Sequence, residues 1–209
     1  AKVIENTQRD LNIALMNEIF LICNKLKINF SEVLKLALSK WNFHSYKPGL
    51  VGGHCLPVDP YYFSFIAKKN KINANLILSG RKINNGMENF VINKIKKIIK
   101  QNKKNFKNAK ILLVGATYKS NVSDIRNSLS LSIFRKFKSI NKNVVCYDPF
   151  VNSVTAGKFE INKDLKTLNY EFVVFLVNHN FLKTIYDKFL KKKKKVVIID
   201  IFNFFNDKK

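Results

Sequence analysis

Cysteine is scarce in this sequence. Three cysteines, Cys23, Cys55 and Cys146, occur among the 209 residues, and they lie far apart along the chain. This number and this spacing exclude a disulfide scaffold and a clustered zinc site. Because free thiols are typical of reducing compartments, we expect a cytoplasmic protein without a structural metal.

Long apolar runs are also missing. No stretch approaches the roughly 18–20 uninterrupted apolar residues that span a bilayer, and no basic segment followed by an apolar one opens the sequence. We therefore expect neither a membrane partner nor a secretion signal. The 18 phenylalanines and 7 tyrosines exclude a disordered chain, because disordered segments have few aromatic residues. We expect a soluble globular protein with one large domain or two small ones.

Acidic residues are few as well. The chain has 14 Asp and Glu against 38 Lys and Arg, which gives a net charge of +24 and suggests a nucleic-acid partner. However, only four of these basic residues are arginine, and the abundant Lys, Asn, Ile and Phe are what AT-rich codons encode. The seven lysines between residues 94 and 107 are scattered around a predicted helix, as solvated residues are. We expect no nucleic-acid partner; the alternative predicts DNA binding that weakens steeply with salt.

The first hundred residues have a helical pattern. Apolar residues recur at steps of three, four or seven, as on one side of an amphipathic helix: Ile4, Leu11, Leu15, Ile19, Ile22 and Leu26. Further helices are predicted over residues 30–38, 61–69 and 76–100. No capping residue precedes the first stripe, which predicts a chain truncated at its N-terminus. Lys2 and Asn6 lie one turn apart on the opposite side, where a solvent-facing stripe is the simplest interpretation.

The periodicity changes after residue 110. Four short runs rich in β-branched residues are predicted as buried strands: 111–114, 144–147, 172–176 and 196–200. Helical patterns lie between them, at 128–139, 164–168 and 181–189. This alternation indicates parallel strands joined by right-handed crossovers. The expected fold class is α/β, with a helical domain at residues 1–104 and a Rossmann-like parallel-sheet domain at residues 105–209.

The glycine-rich segment KPGLVGGHCLPVDPYY, residues 47–62, concentrates chemically useful residues. Three glycines allow positive φ angles and close approach of the backbone to a ligand: Gly49, Gly52 and Gly53. Cys55 follows near the start of a predicted helix, whose dipole favours a thiolate, and Asp59 comes four residues later. A thiolate near a carboxylate suits covalent trapping of a carbonyl followed by hydrolysis. The alternative is that Cys55 is a small buried apolar residue.

A second segment, GATYKSNVSDIRNS at residues 115–128, follows the first predicted strand. The carboxyl end of such a strand is where open α/β sheets bind ligands. The segment has only Gly115 of the pattern G-x-G-x-x-G, so the evidence for a dinucleotide pocket is weak. Lys119 and Arg126 suit a phosphorylated ligand. Asp148 ends the second predicted strand, either as a ribose-binding acid or as a turn residue before proline.

Several stretches together resemble the UDP-glucose/GDP-mannose dehydrogenase family of nucleotide-sugar 6-dehydrogenases. In chain order they are WNFHSYKPGLVGGHCLPVDPYYF, LILSGRKINNGMENFV, GATYKSNVSDIRNS and VVCYDP. The opening AKVIENTQRDLNIALMNEI also resembles the central helix of that family. The resemblance covers the whole chain, and it is strongest to the branch that oxidises UDP-N-acetylhexosamines.

The resemblance implies a two-step, NAD-dependent oxidation of the sugar C6 alcohol to a carboxylate, for surface polysaccharide biosynthesis. Cys55 matches the family's nucleophile, which holds the sugar as a thiohemiacetal and then as a thioester. Lys2 and Asn6 match the pair that stabilises the developing oxyanion. Asp59 matches the acid that helps to activate the hydrolytic water.

The resemblance also implies how the substrate is bound. Lys119 and Arg126 match the motif that binds the UDP portion. The loop at residues 47–53, which begins with Lys47, would wrap the sugar and the diphosphate with backbone amides. The family's central helices form a homodimer. Because the family's N-terminal NAD-binding domain is not in this sequence, we expect the central and C-terminal part of the enzyme; the alternative is a catalytically silent remnant or a UDP-sugar-binding and dimerisation module.

Overall fold

The computed structural model describes residues 1–151, 155–156, 159–162, 165, 169–190 and 196–205. The described residues fall into two compact units, Ala1–Met87 and Glu88–Phe205. The division lies inside the helix Asn75–Gln101, whereas the change of sequence pattern comes after the end of that helix.

The first unit is helical. Its helices are α1 (Lys2–Leu26), α2 (Phe30–Ala37), α3 (Asp59–Lys69) and the first half of α4 (Asn75–Gln101). The predicted helices are confirmed with boundaries that differ by at most two residues. The helix α3 begins two residues earlier than predicted, because Pro60 fits the first turn of a helix, where its missing N–H is not needed. None of the described helices is long and apolar enough to cross a membrane.

The buried side of α1 contains both polar and apolar residues, and it differs from the predicted apolar stripe. Four members of that stripe are between 51% and 62% exposed: Ile4, Leu15, Ile22 and Leu26. Asn6, Asp10 and Asn17 are buried instead. Two findings explain this orientation: the polar side chains have hydrogen-bond partners on other elements of the unit, and α4 approaches α1 closely at Gly80. A Cβ atom at Gly80 would lie 2.5 Å from Leu11 Cδ2.

The second unit is built on a sheet. Its elements after α4 are β1 (Ile111–Val114), α5 (Leu129–Lys138), β2 (Val144–Tyr147), β3 (Thr155–Ala156), β4 (Phe159–Asn162), β5 (Phe172–Phe175), α6 (Leu182–Leu190) and β6 (Val197–Asp200). The described strands have the order β3-β4-β2-β1-β5-β6, and all neighbours are parallel except the short edge pair β3–β4. The expected α/β class with a parallel sheet is therefore confirmed.

The centre of this sheet is apolar on both faces. In register, Ile111 of β1 lies between Val144 of β2 and Phe172 of β5, and every residue of β1 and β5 is buried. Such strands are typical of parallel sheets, in which both faces are covered. The carboxyl ends of β1, β2 and β5 consequently lie side by side at one edge of the sheet.

One part of the second unit differs from the sequence prediction, and another prediction falls mostly outside the described residues. The strands β3 and β4 were not predicted, because β3 has two residues and β4 interrupts its apolar residues with Glu160. The helix predicted at residues 164–168 lies outside the described residues except for Leu165, which is in neither a helix nor a strand.

Candidate functional site

Asn6 and Asp59 meet in the first unit although they are 53 residues apart in sequence. The side-chain amide of Asn6 donates a hydrogen bond to Asp59 Oδ2 over 2.7 Å. Asn6 is buried on α1, and Asp59 is the first residue of α3. A carboxylate is favourable at this position, because the first N–H groups of a helix have no partners within the helix. The structure thus brings together two of the predicted catalytic residues.

Cys55 lies one turn before α3. Its carbonyl oxygen accepts the backbone N–H groups of Val58 and Asp59 over 3.0 and 2.8 Å. Its side chain is only partly buried, whereas Cys23 and Cys146 are buried, and all three thiols are free. Partial exposure does not fit the alternative of a small buried apolar residue. Cys55 is therefore the most accessible of the three thiols. Its backbone is hydrogen-bonded to Asp59, whose side chain accepts the hydrogen bond from Asn6.

Two basic side chains near these residues, Lys2 and His54, are exposed. Lys2 is exposed on α1, one turn before Asn6. His54 is also exposed, and its Nδ1 lies 4.0 Å from Cys55 Sγ, a long contact even for sulfur. The structure therefore shows a contact between Asn6 and Asp59, and it places Lys2 in solvent.

The glycine loop is held by Asn17 of α1. The Gly49 N–H donates to Asn17 Oδ1 over 2.8 Å, and Asn17 Nδ2 donates back to the Gly49 carbonyl over 3.1 Å. Gly52 and Gly53 are buried, and Gly53 has a φ of 91°, which a side chain would disfavour. Lys47 is exposed at the start of the loop. The buried amide of Asn17 thus fixes the position of one loop peptide in both directions.

A chain of buried polar groups continues behind Asn17. Asn17 donates to Asn84 Oδ1 over 2.9 Å, and Asn84 donates to Asp10 Oδ1 over 2.8 Å. The same oxygen accepts a hydrogen bond from Arg81 Nη1 over 2.5 Å. Burial raises the pKa of Asp10 although Arg81 acts in the opposite direction. The glycine loop is therefore connected through hydrogen bonds to a buried ion pair between α1 and α4.

The second predicted site segment follows β1 at the carboxyl edge of the sheet. Gly115 opens it with a φ of 99°, and a Cβ atom there would lie 2.7 Å from Val177 Cβ. Lys119 and Arg126 are both exposed on this segment. Arg126 Nη2 lies 2.6 Å from Asp124 Oδ2. The structure places the predicted phosphate-binding side chains on one exposed loop.

Asp148 lies at the same edge, after β2. Its Oδ2 accepts the Ala116 N–H over 2.8 Å and lies 3.2 Å from His179 Nε2, while its Oδ1 accepts the Phe150 N–H over 3.0 Å. Burial acts to raise the pKa of Asp148, but the hydrogen bonds from His179 and from the backbone outweigh it, so the pKa is lowered. Because both carboxylate oxygens are engaged inside the unit, the structure favours the turn residue over the ribose-binding acid.

The sequence analysis did not identify two residues of these sites, Asn17 and His179. Asn17 was hidden because it lies on a helix side that was interpreted as solvent-facing. His179 had one usable signal, since it follows the buried strand β5 at the carboxyl edge where ligands bind in such sheets. Both are fully buried polar side chains, which is a property of tertiary structure rather than of local sequence.

The carboxyl edge of the sheet does not have the features of an NAD site. The turn after β1 has Gly115 alone where a dinucleotide fingerprint needs three glycines. Asp148, the acid at the end of β2, is fully buried and both of its oxygens accept hydrogen bonds within the unit, which does not suit contact with a ribose hydroxyl. The part of the chain that the structure describes also contains no group of three or more His, Cys, Asp or Glu residues that could hold a metal ion.

The helical unit has a partly exposed thiol one turn before the Asn6–Asp59 contact. The second unit has a parallel sheet with a basic loop at its carboxyl edge, so the chain is an α/β protein. Comparison with protein families makes this class specific. Residues 1–86 match the central domain of the UDP-glucose/GDP-mannose dehydrogenase family, and residues 112–207 match the UDP binding domain of the same family. The chain belongs to the UDP-glucose/GDP-mannose dehydrogenase family.

Individual relatives agree with this membership. The chain is 44% identical over 156 residues to UDP-N-acetyl-D-glucosamine 6-dehydrogenase of Pseudomonas aeruginosa, which covers 75% of this chain and 37% of the relative. The solved UDP-D-ManNAc dehydrogenase of Pyrococcus horikoshii has a TM-score of 0.83 and 29% identity, over 97% of this chain and 47% of that one. NDP-N-acetyl-D-galactosaminuronic acid dehydrogenase of Methanosarcina mazei Go1 has a TM-score of 0.86 and 26% identity, over 98% and 46%. The chain spans less than half the length of each of these relatives.

Proposed function

We propose that this chain is the central and C-terminal part of an NAD-dependent UDP-N-acetylhexosamine 6-dehydrogenase, which oxidises the C6 alcohol of the sugar to a carboxylate for surface polysaccharide biosynthesis. The observation that carries this proposal is the Asn6–Asp59 hydrogen bond one turn from the accessible Cys55. It lies within the residues that match the family's central domain. We assign residues 1–104 to this domain and residues 105–209 to the UDP-binding domain.

In this proposal Cys55 is the nucleophile. Its thiolate adds to the carbonyl carbon of the C6 aldehyde, and the carbonyl electron pair moves onto oxygen. Lys2 and Asn6 stabilise this oxyanion by charge and by hydrogen bonding. After oxidation to the thioester, water attacks the same carbon and the thiolate leaves, which gives the carboxylate. Asp59 orients the attacking water and accepts its proton.

The two oxidation steps need an acceptor for two hydrides. NAD supplies this chemistry in the proposal, as the resemblance to the family implies. No described residue of this chain is assigned to NAD, because the turn after β1 and Asp148 do not offer a dinucleotide site. The roles of the described residues are to bind the sugar nucleotide, to hold the carbon skeleton covalently and to hydrolyse the thioester.

Two loops bind the substrate in this proposal. Lys119 and Arg126 bind the phosphates of UDP, since exposed cations on the loop at the carboxyl edge of a parallel sheet suit that charge. The backbone amides of the loop formed by Lys47, Gly49, Gly52 and Gly53 bind the sugar and the diphosphate. The UDP binding domain model, which matches residues 112–207, supports the first assignment.

We also propose a homodimer through the helical unit. Large apolar side chains are strongly exposed there, including Trp41 at 97%, Leu76 at 73% and Leu36 at 72%. Exposed apolar surface of this kind is typical of protein–protein interfaces when it is contiguous. Four exposed residues of the predicted apolar stripe of α1 belong to the same unit: Ile4, Leu15, Ile22 and Leu26. The three free thiols support a cytoplasmic location.

The test is NADH formation by the native polypeptide with UDP-GlcNAc, UDP-GalNAc and UDP-ManNAc as substrates. We expect one of these sugars to yield two NADH per molecule and the corresponding uronate. UDP-glucose is the matched control for UDP-GlcNAc, because the two differ only at C2, where UDP-glucose carries a hydroxyl in place of the acetamido group. Binding of a UDP-sugar without any NADH would instead support a silent binding module.

A further inference from the structure

His179 is a fully buried imidazole between two aromatic rings. The ring centroids of Phe150 and Phe181 lie 5.1 and 5.0 Å from its own, with interplanar angles of 27° and 17°. Both rings of the sandwich and His179 itself follow the carboxyl ends of β2 and β5. The imidazole plane is therefore fixed by packing, and its two nitrogens point in set directions.

The hydrogen bonds of His179 define its protonation. The backbone N–H of Asn121 donates to His179 Nδ1 over 3.0 Å, so Nδ1 carries no proton. His179 Nε2 lies 3.2 Å from Asp148 Oδ2, so its proton is donated to that carboxylate. The arrangement requires a neutral imidazole protonated on Nε2. An imidazolium would place a second N–H group against the N–H of Asn121.

The bond to Asn121 fixes a left-handed turn of the loop. Asn121 has a φ of 58°, a left-handed conformation that asparagine adopts more readily than most residues other than glycine. Its side-chain Oδ1 accepts the backbone N–H of Asn180 over 3.0 Å, which is a second link to the segment after β5. Thr117 Oγ1 donates to the carbonyl of Lys119 over 2.9 Å and lies 3.3 Å from His179 Nε2. Residues 117–121 are thus tied to His179 at both ends.

We propose that His179 is a positioning residue for nucleotide binding: it holds residues 117–121, and with them Lys119, in the conformation that binds the UDP portion. The inference rests on the proposed function of the loop at residues 115–128. His179 does not touch the ligand in this proposal, and it acts through the backbone of Asn121. Asp148 has the supporting part, because its carboxylate keeps the proton on Nε2.

Two substitutions distinguish the roles of the two ring nitrogens of His179. His179→Asn keeps an acceptor near the position of Nδ1, whereas His179→Gln keeps a donor near the position of Nε2. Both substitutions remove the imidazole ring from between Phe150 and Phe181, so the loss of ring stacking is common to both. We expect His179→Gln to weaken UDP binding by roughly tenfold, equivalent to ~1.4 kcal/mol, because the Asn121 N–H loses its acceptor. We expect His179→Asn to stay close to the wild-type affinity.

The measurement is UDP affinity by isothermal titration calorimetry on the native polypeptide and both variants. Equal affinity losses in both variants, or no loss in either, would overturn the role of His179 while the nucleotide site stands. No UDP binding by the wild type would overturn the nucleotide site and this inference together. A second measurement uses the wild type and therefore does not depend on whether a variant folds. ¹⁵N NMR of His179 should show the neutral tautomer protonated on Nε2. A proton on Nδ1 at neutral pH would overturn the inference.

Discussion

Asn17 is fully buried and uses both amide hydrogens and its oxygen in hydrogen bonds to Gly49 and Asn84. Asn17→Ala leaves the Gly49 N–H and the Asn84 oxygen without these partners. We predict a loss of about 1–3 kcal/mol in the free energy of unfolding, because buried polar groups lose their hydrogen bonds. Chemical denaturation checks this value. The matched control is Asn89→Ala at an exposed position on α4, where we expect a change within about 0.5 kcal/mol. Equal effects of both substitutions would contradict the role of Asn17.

Asp148 makes stability depend on pH. Its pKa in the folded state lies below the ordinary value of 3.8, so the folded state binds its proton less readily than the unfolded state. The stabilisation is complete above 3.8 and is lost as the pH falls through the lower folded value. We predict that Asp148→Asn is less stable than the wild type at neutral pH, and that this difference shrinks below 3.8. Urea denaturation across this range provides the measurement, and a constant difference would contradict the assignment.

The helix α4 contains two glycines in different surroundings. A Cβ atom at Gly86 would meet no atom within 4 Å, whereas one at Gly80 would lie 2.5 Å from Leu11 Cδ2. We predict that Gly86→Ala raises the free energy of unfolding by about 1 kcal/mol through helix propensity. Gly80→Ala should lack this gain, because Leu11 must move to make room. Thermal unfolding of the two variants gives the comparison, and an equal gain at both sites would contradict the close approach of α1 and α4.

Local pattern was sufficient to predict most helices and strands. The helix α4 has a long stretch of helical periodicity. The strands β1 and β5 are short apolar runs whose length and whose β-branched or aromatic residues favour a strand over a helix. The strands β3 and β4 are short and partly polar, so their pairing depends on the neighbour β2 rather than on their own residues. The buried side of α1 was not predictable, because Asn6, Asp10 and Asn17 look solvent-facing until Asp59, Arg81 and Gly49 are placed beside them.

The candidate site was predictable in part for the same reason. Cys55, Asp59 and the three glycines are close in sequence, so their spacing alone indicates a site. The Asn6–Asp59 contact depends on how α1 and α3 pack. The hydrogen bonds of His179 depend on the order of parallel strands, which brings segments after β1, β2 and β5 to one edge. The sequence places His179 after a predicted strand, but it contains no local signal for the hydrogen bonds of either arrangement.

For the chain as a whole, the exposed apolar side chains of the helical unit predict self-association. We expect a dimer in sedimentation velocity experiments. Leu36→Glu combined with Leu76→Glu should dissociate it, since both side chains are largely exposed in the single chain and would become buried in the dimer. Ile140→Glu is the control, because Ile140 is exposed at 49% in the second unit. A wild-type monomer, or a dimer that survives the double substitution, would contradict the proposed interface.

The central claim is that Cys55 carries the sugar covalently during its oxidation. The direct measurement is the rate of uronate formation from the preferred UDP-N-acetylhexosamine by the native polypeptide with NAD, comparing Cys55→Ala with Cys23→Ala. Cys23 is a buried thiol of the same unit and controls for the loss of a cysteine. We predict a fall on the order of 10⁴-fold or more for Cys55→Ala and little change in activity for Cys23→Ala. Uronate formation by Cys55→Ala at a rate near that of the wild type would contradict the account.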